Sequence, residues 1–331
     1  MKAFIKSKLS IILSGVFSVA VIAYVLFKLD WSAFQSTLTS LQFGWLILAL
    51  LAYWLNYVLR TIRFQILIPT QKISFLQLLA VTGLYGMYNY ILPGKSGEVT
   101  YIVLANRRLR ISLVEGTTSL LAARYLDFAT IAIILPFVLI FYLKSLPPWL
   151  ICASLAFCGL FFIGSVVLSW FLKRLSTRTD NLSPARMNWI ARIQEILMDL
   201  RAGLATIYHR REHMRLLLLT LAIWLCIYTN LYLIVLSMGY QLSYFQIVVI
   251  SIIMIPMTLL PFQGFANLGT HEIGWVAAFS MFGQPEDIAI KVAVSSHIIL
   301  LLYVLFFGAC SFLIIYLVNR SSTSIKGHAD G

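Results

Sequence analysis

The sequence predicts an all-α integral membrane protein: six transmembrane helices plus two re-entrant helical hairpins, in an inverted-repeat arrangement. Hydrophobic residues make up 60% of the 331 residues and charged residues 11%, with a mean hydropathy of +0.90. A soluble domain carries about 25% charged residues, so a soluble fold is excluded. Charge-free runs reach the length of about 20 residues that a spanning helix needs. Two of these runs are interrupted by proline and glycine, which indicates hairpins.

The first predicted span is Leu9–Phe27, which follows Lys2, Lys6 and Lys8. The run is longer than the apolar core of a typical signal peptide, and no small-residue cleavage site follows it. We therefore expect an uncleaved span with a cytoplasmic N-terminus.

Charge-free runs also locate the other spans, some of which extend beyond the run past charged residues such as Arg124 and Asp127. The second is predicted at Gly44–Ile62, the third at Ser112–Leu143 and the last at Ala289–Leu317. Between them, Ser145–Leu172 is long enough for one span, and Leu216–His271 is long enough for two apolar segments.

The loops set the orientation, because Lys and Arg gather on the cytoplasmic side of a membrane. The insert 173–215 holds nine basic and four acidic residues. Two shorter basic loops are also predicted to be cytoplasmic; they contain Arg60, Arg63 and Lys72, and Arg107, Arg108 and Arg110. The net charge of +13 is explained by these loops, so nucleic acid is not expected as a partner.

The same rule predicts the first hairpin. Because Lys72 and Arg107 lie on the same side, Ile73–Ala105 must enter the membrane and return. In the second half Tyr244–Leu260 enters and Ile273–Phe282 returns. A broken helix at membrane depth is tolerated where it is buried in protein or lines a wet cavity. The predicted helix-breaking residues are Pro93, Gly94, Gly97, Pro261, Gly264 and Gly269.

The two halves share one order of elements: span, span, hairpin, span. Glu98 precedes Arg124 by 26 positions, and Glu272 precedes His297 by 25. Three crossings per half would insert the second half upside down, as in many transporters. We predict a single transmembrane domain over residues 1–320, with halves at about 1–145 and 146–320, and a short cytoplasmic tail at 321–331. Chance alignment of two Gly/Pro-rich breaks is the alternative explanation.

The insert 173–215 contains a predicted amphipathic helix. Ser183 and Pro184 suit a helix start, and apolar residues recur every three or four positions from Met187 to Ile207. A basic helix of this kind lies on an anionic membrane surface or packs on the cytoplasmic face of its own protein.

Arg124 and Asp127 are predicted to lie inside a span. Insertion of an ionisable group at the bilayer centre costs roughly 2.5–3.5 kcal/mol on insertion scales. The presence of these two residues in a span therefore needs an explanation. Two explanations remain open. Either the two residues neutralise each other at a spacing of three, or Arg124 points into a cavity and holds an anionic headgroup while Asp127 orients the arginine.

Glu98 and Glu272 lie at the two helix breaks. Either they stabilise the N-terminus of a returning half-helix, or they act as counter-charges to Arg124 or to a cationic headgroup, or as proton sites. His297 is then an interhelical donor or a proton relay. Asn89 and Asn267 line the same cavity or tie helices together. Arg60 and Arg63, one turn apart, are expected to reach lipid phosphate at the interface.

Motifs for catalysis are missing from the sequence. It has no phosphate-binding loop, no G-x-S-x-G and no G-x-G-x-x-G. We therefore predict that the chain is not an enzyme and that it uses no cofactor and no metal ion.

Three motifs resemble one known family. Leu92–Glu98 (LPGKSGE), Asn106–Arg110 (NRRLR) and Ala123–Asp127 (ARYLD) are similar to the transmembrane region of lysylphosphatidylglycerol synthases, and members of that family are also described as flippase-like. The resemblance extends over nearly the whole chain and includes Arg60, Arg63 and the late stretch from Pro261 to Gly283. His297 departs from the pattern, in which arginine is expected.

The resemblance implies a lipid-handling protein of the bacterial plasma (inner) membrane with both termini in the cytoplasm. In well-known members this region moves an aminoacylated phosphatidylglycerol across the membrane, and a separate soluble domain synthesises that lipid. The sequence ends at Gly331 without that domain, so aminoacyl transfer is not expected.

The resulting expectation is translocation of a lipid with an anionic or zwitterionic headgroup. Arg124 would hold phosphate, and Glu98 and Glu272 would hold cationic parts or protons. Membrane lipids are the expected partners. The alternatives are a small-solute or proton-coupled transporter, or a non-transporting membrane partner of a lipid synthase or glycosyltransferase.

Overall fold

The computed structural model describes residues 27, 31–68, 73–92, 96–142, 147–178, 212–259 and 265–327, and these residues form helices and no strand. The helices of the first half, residues 31–142, are α1 (Trp31–Thr39), α2 (Phe43–Leu67), α3 (Phe75–Ile91), α4 (Ser96–Leu109) and α5 (Leu113–Tyr142). Those of the second half, residues 147–327, are α6 (Pro148–Arg178), α7 (His213–Ser237), α8 (Tyr244–Leu259), a 3₁₀ turn (Phe265–Asn267), α9 (Thr270–Met281) and α10 (Glu286–Gly327).

Four of these helices are long and apolar enough to cross a membrane: α2, α5, α7 and the part of α10 from Glu286 to Val318. Shorter apolar stretches lie in α6 at Ile151–Val167 and in α8 at Tyr244–Met254. The prediction of an all-α membrane protein is therefore confirmed. Apart from Phe27, the first predicted span lies outside the described residues, as does the predicted amphipathic helix of the insert.

The described surface is apolar and the interior holds polar groups. Large side chains such as Trp54, Phe137, Leu160 and Phe306 are exposed, which suits helices that contact lipid chains. Many serine and threonine hydroxyls in the interior bond to a backbone carbonyl one turn earlier; Thr82, for example, donates to Leu78 over 2.8 Å. These bonds satisfy the hydroxyls without water, as an apolar solvent requires.

Two pairs of short helices lie at the predicted hairpins. In the first half α3 has 17 residues and packs on α4 with 14, and in the second half α8 has 16 and packs on α9 with 12. Each is shorter than the roughly 20 residues of a spanning helix. The turn from α4 to α5 is fixed by Asn106, whose amide donates to the carbonyl of Ile111 over 2.9 Å, and by Arg110, which has a φ of 57°.

The two halves pack in corresponding ways. The most extensive contact joins α2 to α7. In the first half, α3 contacts α10, α4 contacts α5 and α2 contacts α3. In the second half, α8 contacts α5, α9 contacts α10 and α7 contacts α8, in the same order of correspondence. One helix of each short pair thus packs on the central α2–α7 pair, α3 on α2 and α8 on α7.

Candidate functional site

Glu98 and Arg124 form an ion pair between α4 and α5. Glu98 is the third residue of α4 and Arg124 the twelfth of α5. Nη2 of Arg124 lies 2.8 Å from Oε1 of Glu98 and also donates a hydrogen bond of 2.8 Å to the hydroxyl of Tyr85 on α3. The side chains of Arg124 and Glu98 are 28% and 31% exposed. Of the roles considered for Glu98, the structure shows the counter-charge to Arg124.

Asp127, one turn further along α5, is neutralised mainly by Arg63. Nη1 of Arg63 lies 2.6 Å from Oδ1 of Asp127 and 3.3 Å from the hydroxyl of Thr220 on α7. Arg124 is more distant from Asp127, at 3.8 Å. Arg63 and Asp127 are 1% and 6% exposed. Ion pairs therefore link Arg63, Arg124, Glu98 and Asp127 into one group.

The expected interfacial role of Arg63 is wrong. The prediction ended the second span at Ile62, whereas α2 continues to Leu67. Arg63 therefore lies within the helix, on the face that contacts α5 and α7. Its guanidinium compensates the charge of Asp127 and does not reach lipid.

Glu272 and His297 form the corresponding pair in the second half. Nδ1 of His297 is bonded to Oε1 of Glu272, and Nε2 donates to the carbonyl of Ala266 over 2.8 Å. The second carboxylate oxygen of Glu272 accepts the backbone N–H of Gly269 over 2.7 Å. This pair is shielded from solvent, since Glu272 is 6% and His297 3% exposed.

The two pairs occupy matching places in their halves. Glu272 is the third residue of α9 and His297 the twelfth of α10, the positions that Glu98 and Arg124 hold in α4 and α5. The sequence spacing of 26 and 25 therefore corresponds to an acid in the first turn of a short helix bonded to a base on the next helix.

Between the pairs lies a cavity of about 190 Å³, which we call the central cavity. It is bounded by α2, α3, α7, α10 and the 3₁₀ turn. Its polar lining consists of Asn56, Arg60, Asn89, Asn267 and the tyrosines Tyr53, Tyr57, Tyr85 and Tyr90. The volume is far above what a single water needs, so a small polar group fits inside.

Arg60 is the cation of this lining. Nε of Arg60 donates to Oδ1 of Asn56 over 2.7 Å, and the guanidinium carbon lies 5.9 Å from the centre of the Tyr57 ring. Among the described residues, no carboxylate forms an ion pair with it. Arg60 was expected at the lipid interface; it lies instead seven residues before the end of α2, roughly 10 Å along the helix, and helps to form the cavity wall.

Two further atoms of the lining are unsatisfied. Within the described part of the chain, Oδ1 of Asn89 and the hydroxyl of Tyr90 are buried without a hydrogen-bond partner. Buried polar atoms of native proteins are nearly always paired. The lining of the central cavity therefore contains a cation, Arg60, and two residues with an unpaired buried polar atom, Asn89 and Tyr90.

The ionisable residues predicted for the site adjoin the central cavity without lining it. Arg124 reaches its wall through Tyr85, and His297 reaches it through Ala266, the neighbour of Asn267. Asn89 and Asn267 line it directly. Arg124 is paired with Glu98, and the role predicted for it in holding phosphate stays a prediction.

Two glycines predicted to break helices are described, and each lies at the start of a short helix. Gly97 lies in the first turn of α4, and a Cβ there would overlap backbone atoms of Asn89, so it allows α3 and α4 to approach closely. Gly269 has a φ of 88° and precedes the first residue of α9. Pro93, Gly94, Pro261 and Gly264 lie outside the described residues.

The tyrosines of the lining were missed from the sequence. Tyr53, Asn56, Tyr57 and Arg60 recur at helical spacing on one face of α2, in a run that is otherwise apolar. That polar stripe was the available signal. In the part of the chain that the structure describes, no three residues among His, Cys, Asp and Glu are grouped as metal ligands.

One comparison with known proteins gave a match. The model of the family described as "Lysylphosphatidylglycerol synthase TM region" matches residues 11–308. Comparisons with curated proteins and with solved structures returned no match. The matched range includes α1 to α9, both ion pairs and the central cavity, and it covers most of the chain. The chain belongs to the family of lysylphosphatidylglycerol synthase transmembrane regions.

Proposed function

We propose that this chain is a flippase-like transporter, not an enzyme, and that it moves a lipid with an anionic or zwitterionic headgroup between the leaflets of the bacterial plasma membrane. Its family relates it to lipid metabolism or flipping. The observation that carries the proposal is the position of Arg60 on the wall of the central cavity, where no described carboxylate lies within ion-pair distance of it.

Arg60 is suited to lipid phosphate. Asn56 binds its Nε, which leaves the Nη donors for another acceptor. Guanidinium binds phosphate through paired hydrogen bonds, and such charge-assisted bonds are about twice as strong as neutral ones. Oδ1 of Asn89 would accept a hydroxyl or ammonium of the same headgroup.

The size of the central cavity favours a headgroup over a whole lipid. Its volume of about 190 Å³ is below the roughly 300–1,000 Å³ of pockets that enclose a drug-sized ligand. The acyl chains would therefore stay in the bilayer, along the apolar outer faces of the helices, while the headgroup passes through the protein.

The proposed topology is six crossings and two re-entrant hairpins in inverted halves, with both termini in the cytoplasm. The short helices of α3–α4 and α8–α9 support the hairpins. The corresponding packing of the halves and the matching places of the two pairs support the repeat. In this arrangement the hairpins enter from opposite faces and meet at the central cavity, as in transporters built from inverted repeats.

Lipid movement by the purified protein tests the proposal. Wild-type protein is reconstituted in phosphatidylcholine vesicles with fluorescent phosphatidylglycerol, and a membrane-impermeant quencher reports the probe that reaches the outer leaflet. We expect Arg60→Gln to slow movement about tenfold or more, because a hydrogen bond to a charged group contributes about 1.5–3 kcal/mol. Arg60→Lys keeps the charge and should slow it less.

Arg215→Gln is the matched control, since Arg215 is an exposed residue of α7 and should leave movement unchanged. Wild-type protein that moves the probe no faster than protein-free vesicles would contradict the proposal and favour a non-transporting partner of a lipid synthase or glycosyltransferase. Uptake of a soluble phosphate ester without lipid movement would indicate a small-solute transporter.

A further inference from the structure

The Glu272–His297 pair has a bonding pattern that fixes its number of protons. A carbonyl oxygen only accepts hydrogen bonds, so Nε2 of His297 must carry the hydrogen that it donates to Ala266. A second hydrogen is then needed between Nδ1 and the carboxylate of Glu272. The pair therefore holds one proton more than a neutral histidine beside an ionised glutamate.

We propose that Glu272 and His297 form a proton-binding site whose occupancy controls the segment 265–267 on the wall of the central cavity. When the extra proton leaves to water, the neutral imidazole keeps a single N–H and can serve only one of its two acceptors. The charged carboxylate is the stronger acceptor, so the remaining hydrogen is donated from Nδ1 to Glu272. The bond to Ala266 is lost, and no covalent bond other than N–H changes.

The segment that loses this bond is conformationally strained. Ala266 and Asn267 have φ values of 52° and 59°, which cost energy in residues with a Cβ and persist only where contacts hold them. Asn267 lines the central cavity. Release of the proton therefore frees a part of the cavity wall, and rebinding restores it.

Few other titratable groups face the pair. The ring of His271 lies 4.7 Å from that of His297 and bonds to the hydroxyl of Ser296 over 3.1 Å, and the ring of Tyr90 on α3 lies 5.9 Å away. On α8, Tyr244 is the one titratable residue and it begins that helix. Neither α1 nor the sequence from 260 to 264 contains an ionisable side chain.

The first half cannot release a proton in this way. Arg124 holds the place of His297, and a guanidinium stays protonated in proteins. Proton exchange is thus specific to the second half. Its coupling to lipid movement rests on the proposed function, whereas the proton site and its effect on the segment 265–267 do not.

Hydrogen exchange tests the site without any transport. The peptide Phe265–Gly269 is followed by mass spectrometry in full-length protein in nanodiscs at about pH 5 and about pH 8, after correction for intrinsic exchange. We expect its protection to fall about tenfold at the higher pH in the wild type, since one hydrogen bond is lost.

Two variants remove the exchangeable proton. In Glu272→Gln the amide donates to Nδ1 and both bonds of His297 persist, so protection should stay high at both pH values. In His297→Arg the base keeps its charge, so protection should again be independent of pH. His213→Gln, which removes an exposed histidine of α7, should behave as the wild type. pH-independent protection in the wild type, or loss of the pH effect in His271→Gln but not in Glu272→Gln, would overturn the proposal.

Lipid movement in the same variants tests the coupling. With fluorescent phosphatidylglycerol in vesicles, an imposed pH gradient should change the rate several-fold in the wild type and leave the rate in Glu272→Gln unchanged. If exchange shows the expected pattern but no lipid moves, the proton site stands and the proposed function fails. If lipid moves while wild-type protection is independent of pH, the function stands and the proton site fails.

Discussion

At the scale of residues, the protein contains a buried ion pair. Arg63 and Asp127 lie 2.6 Å apart with almost no exposure, and Thr220 provides a further partner for the arginine. A buried ion pair adds little net stability, but removal of one partner leaves an uncompensated charge. Each residue of the pair is therefore needed mainly because the other is present.

Removal of Asp127 should be strongly destabilising. We expect Asp127→Ala to lower the free energy of unfolding by about 3–5 kcal/mol, measured by thermal or denaturant unfolding of the protein in detergent. The double variant Arg63→Met with Asp127→Leu should recover most of the loss, because it removes both charges. Arg215→Ala is the control: Arg215 is 61% exposed beside Glu212, and exposed pairs contribute about 1 kcal/mol or less. Equal stability of Asp127→Ala and Arg215→Ala would disprove the argument.

Sequence spacing was sufficient to propose the partners Glu98 with Arg124, and it aligned Glu272 with His297. It was insufficient for Arg63 and Arg60. Their surroundings depend on where α2 ends and on which helices cover its polar face, and a charge near the end of a predicted span fits an interface equally well. Burial by α5 and α7 is a tertiary property that no local pattern in α2 contains.

At the scale of elements, the first hairpin depends on a close approach of two helices. α4 passes so near α3 that a Cβ on Gly97 would overlap the backbone N and Cα of Asn89. Backbone atoms cannot move aside as a flexible side chain can. Because Asn89 lines the central cavity, the distance between these helices also sets the shape of the cavity wall.

Gly97→Ala should therefore separate α3 from α4. We expect a loss of about 1–3 kcal/mol in unfolding free energy, typical of overpacking, together with slower lipid movement. Gly159→Ala on α6 is the matched control, since a Cβ there meets nothing within 4 Å; alanine's helix propensity should make it neutral or slightly stabilising. Unchanged stability and lipid movement in Gly97→Ala would show that the two helices are not held at this distance.

At the scale of the whole molecule, the hydropathy of the sequence predicted an all-α membrane protein, because side chains that face lipid must be apolar. Two pairs of short helices lie where the sequence predicted hairpins, and their re-entrant course stays a prediction. The central cavity did not follow from the sequence, because its walls come from five elements that are distant in the sequence. The polar stripe of α2 and the asparagines Asn89 and Asn267 gave local signs of it.

The proposed inverted repeat predicts that the two hairpins begin on opposite sides of the membrane. Ser74 precedes α3 and Ser243 precedes α8, and both are exposed. In a background without the four native cysteines, Ser74→Cys should react with an impermeant maleimide only after the cells are opened. Ser243→Cys should react in intact cells whose outer barrier is permeable to the reagent. Reaction of both cysteines from one side would exclude inverted halves.

The unequal exposure of the two ion pairs has a consequence for motion. Glu98 and Arg124 are open to about a third of their surface, whereas Glu272 and His297 are closed. If the two halves have the same architecture and exchange conformations during transport, the present structure is one of the two end states. At the other end we expect Glu98 and Arg124 to be sealed and water to reach His297, so that solvent enters alternately through each half.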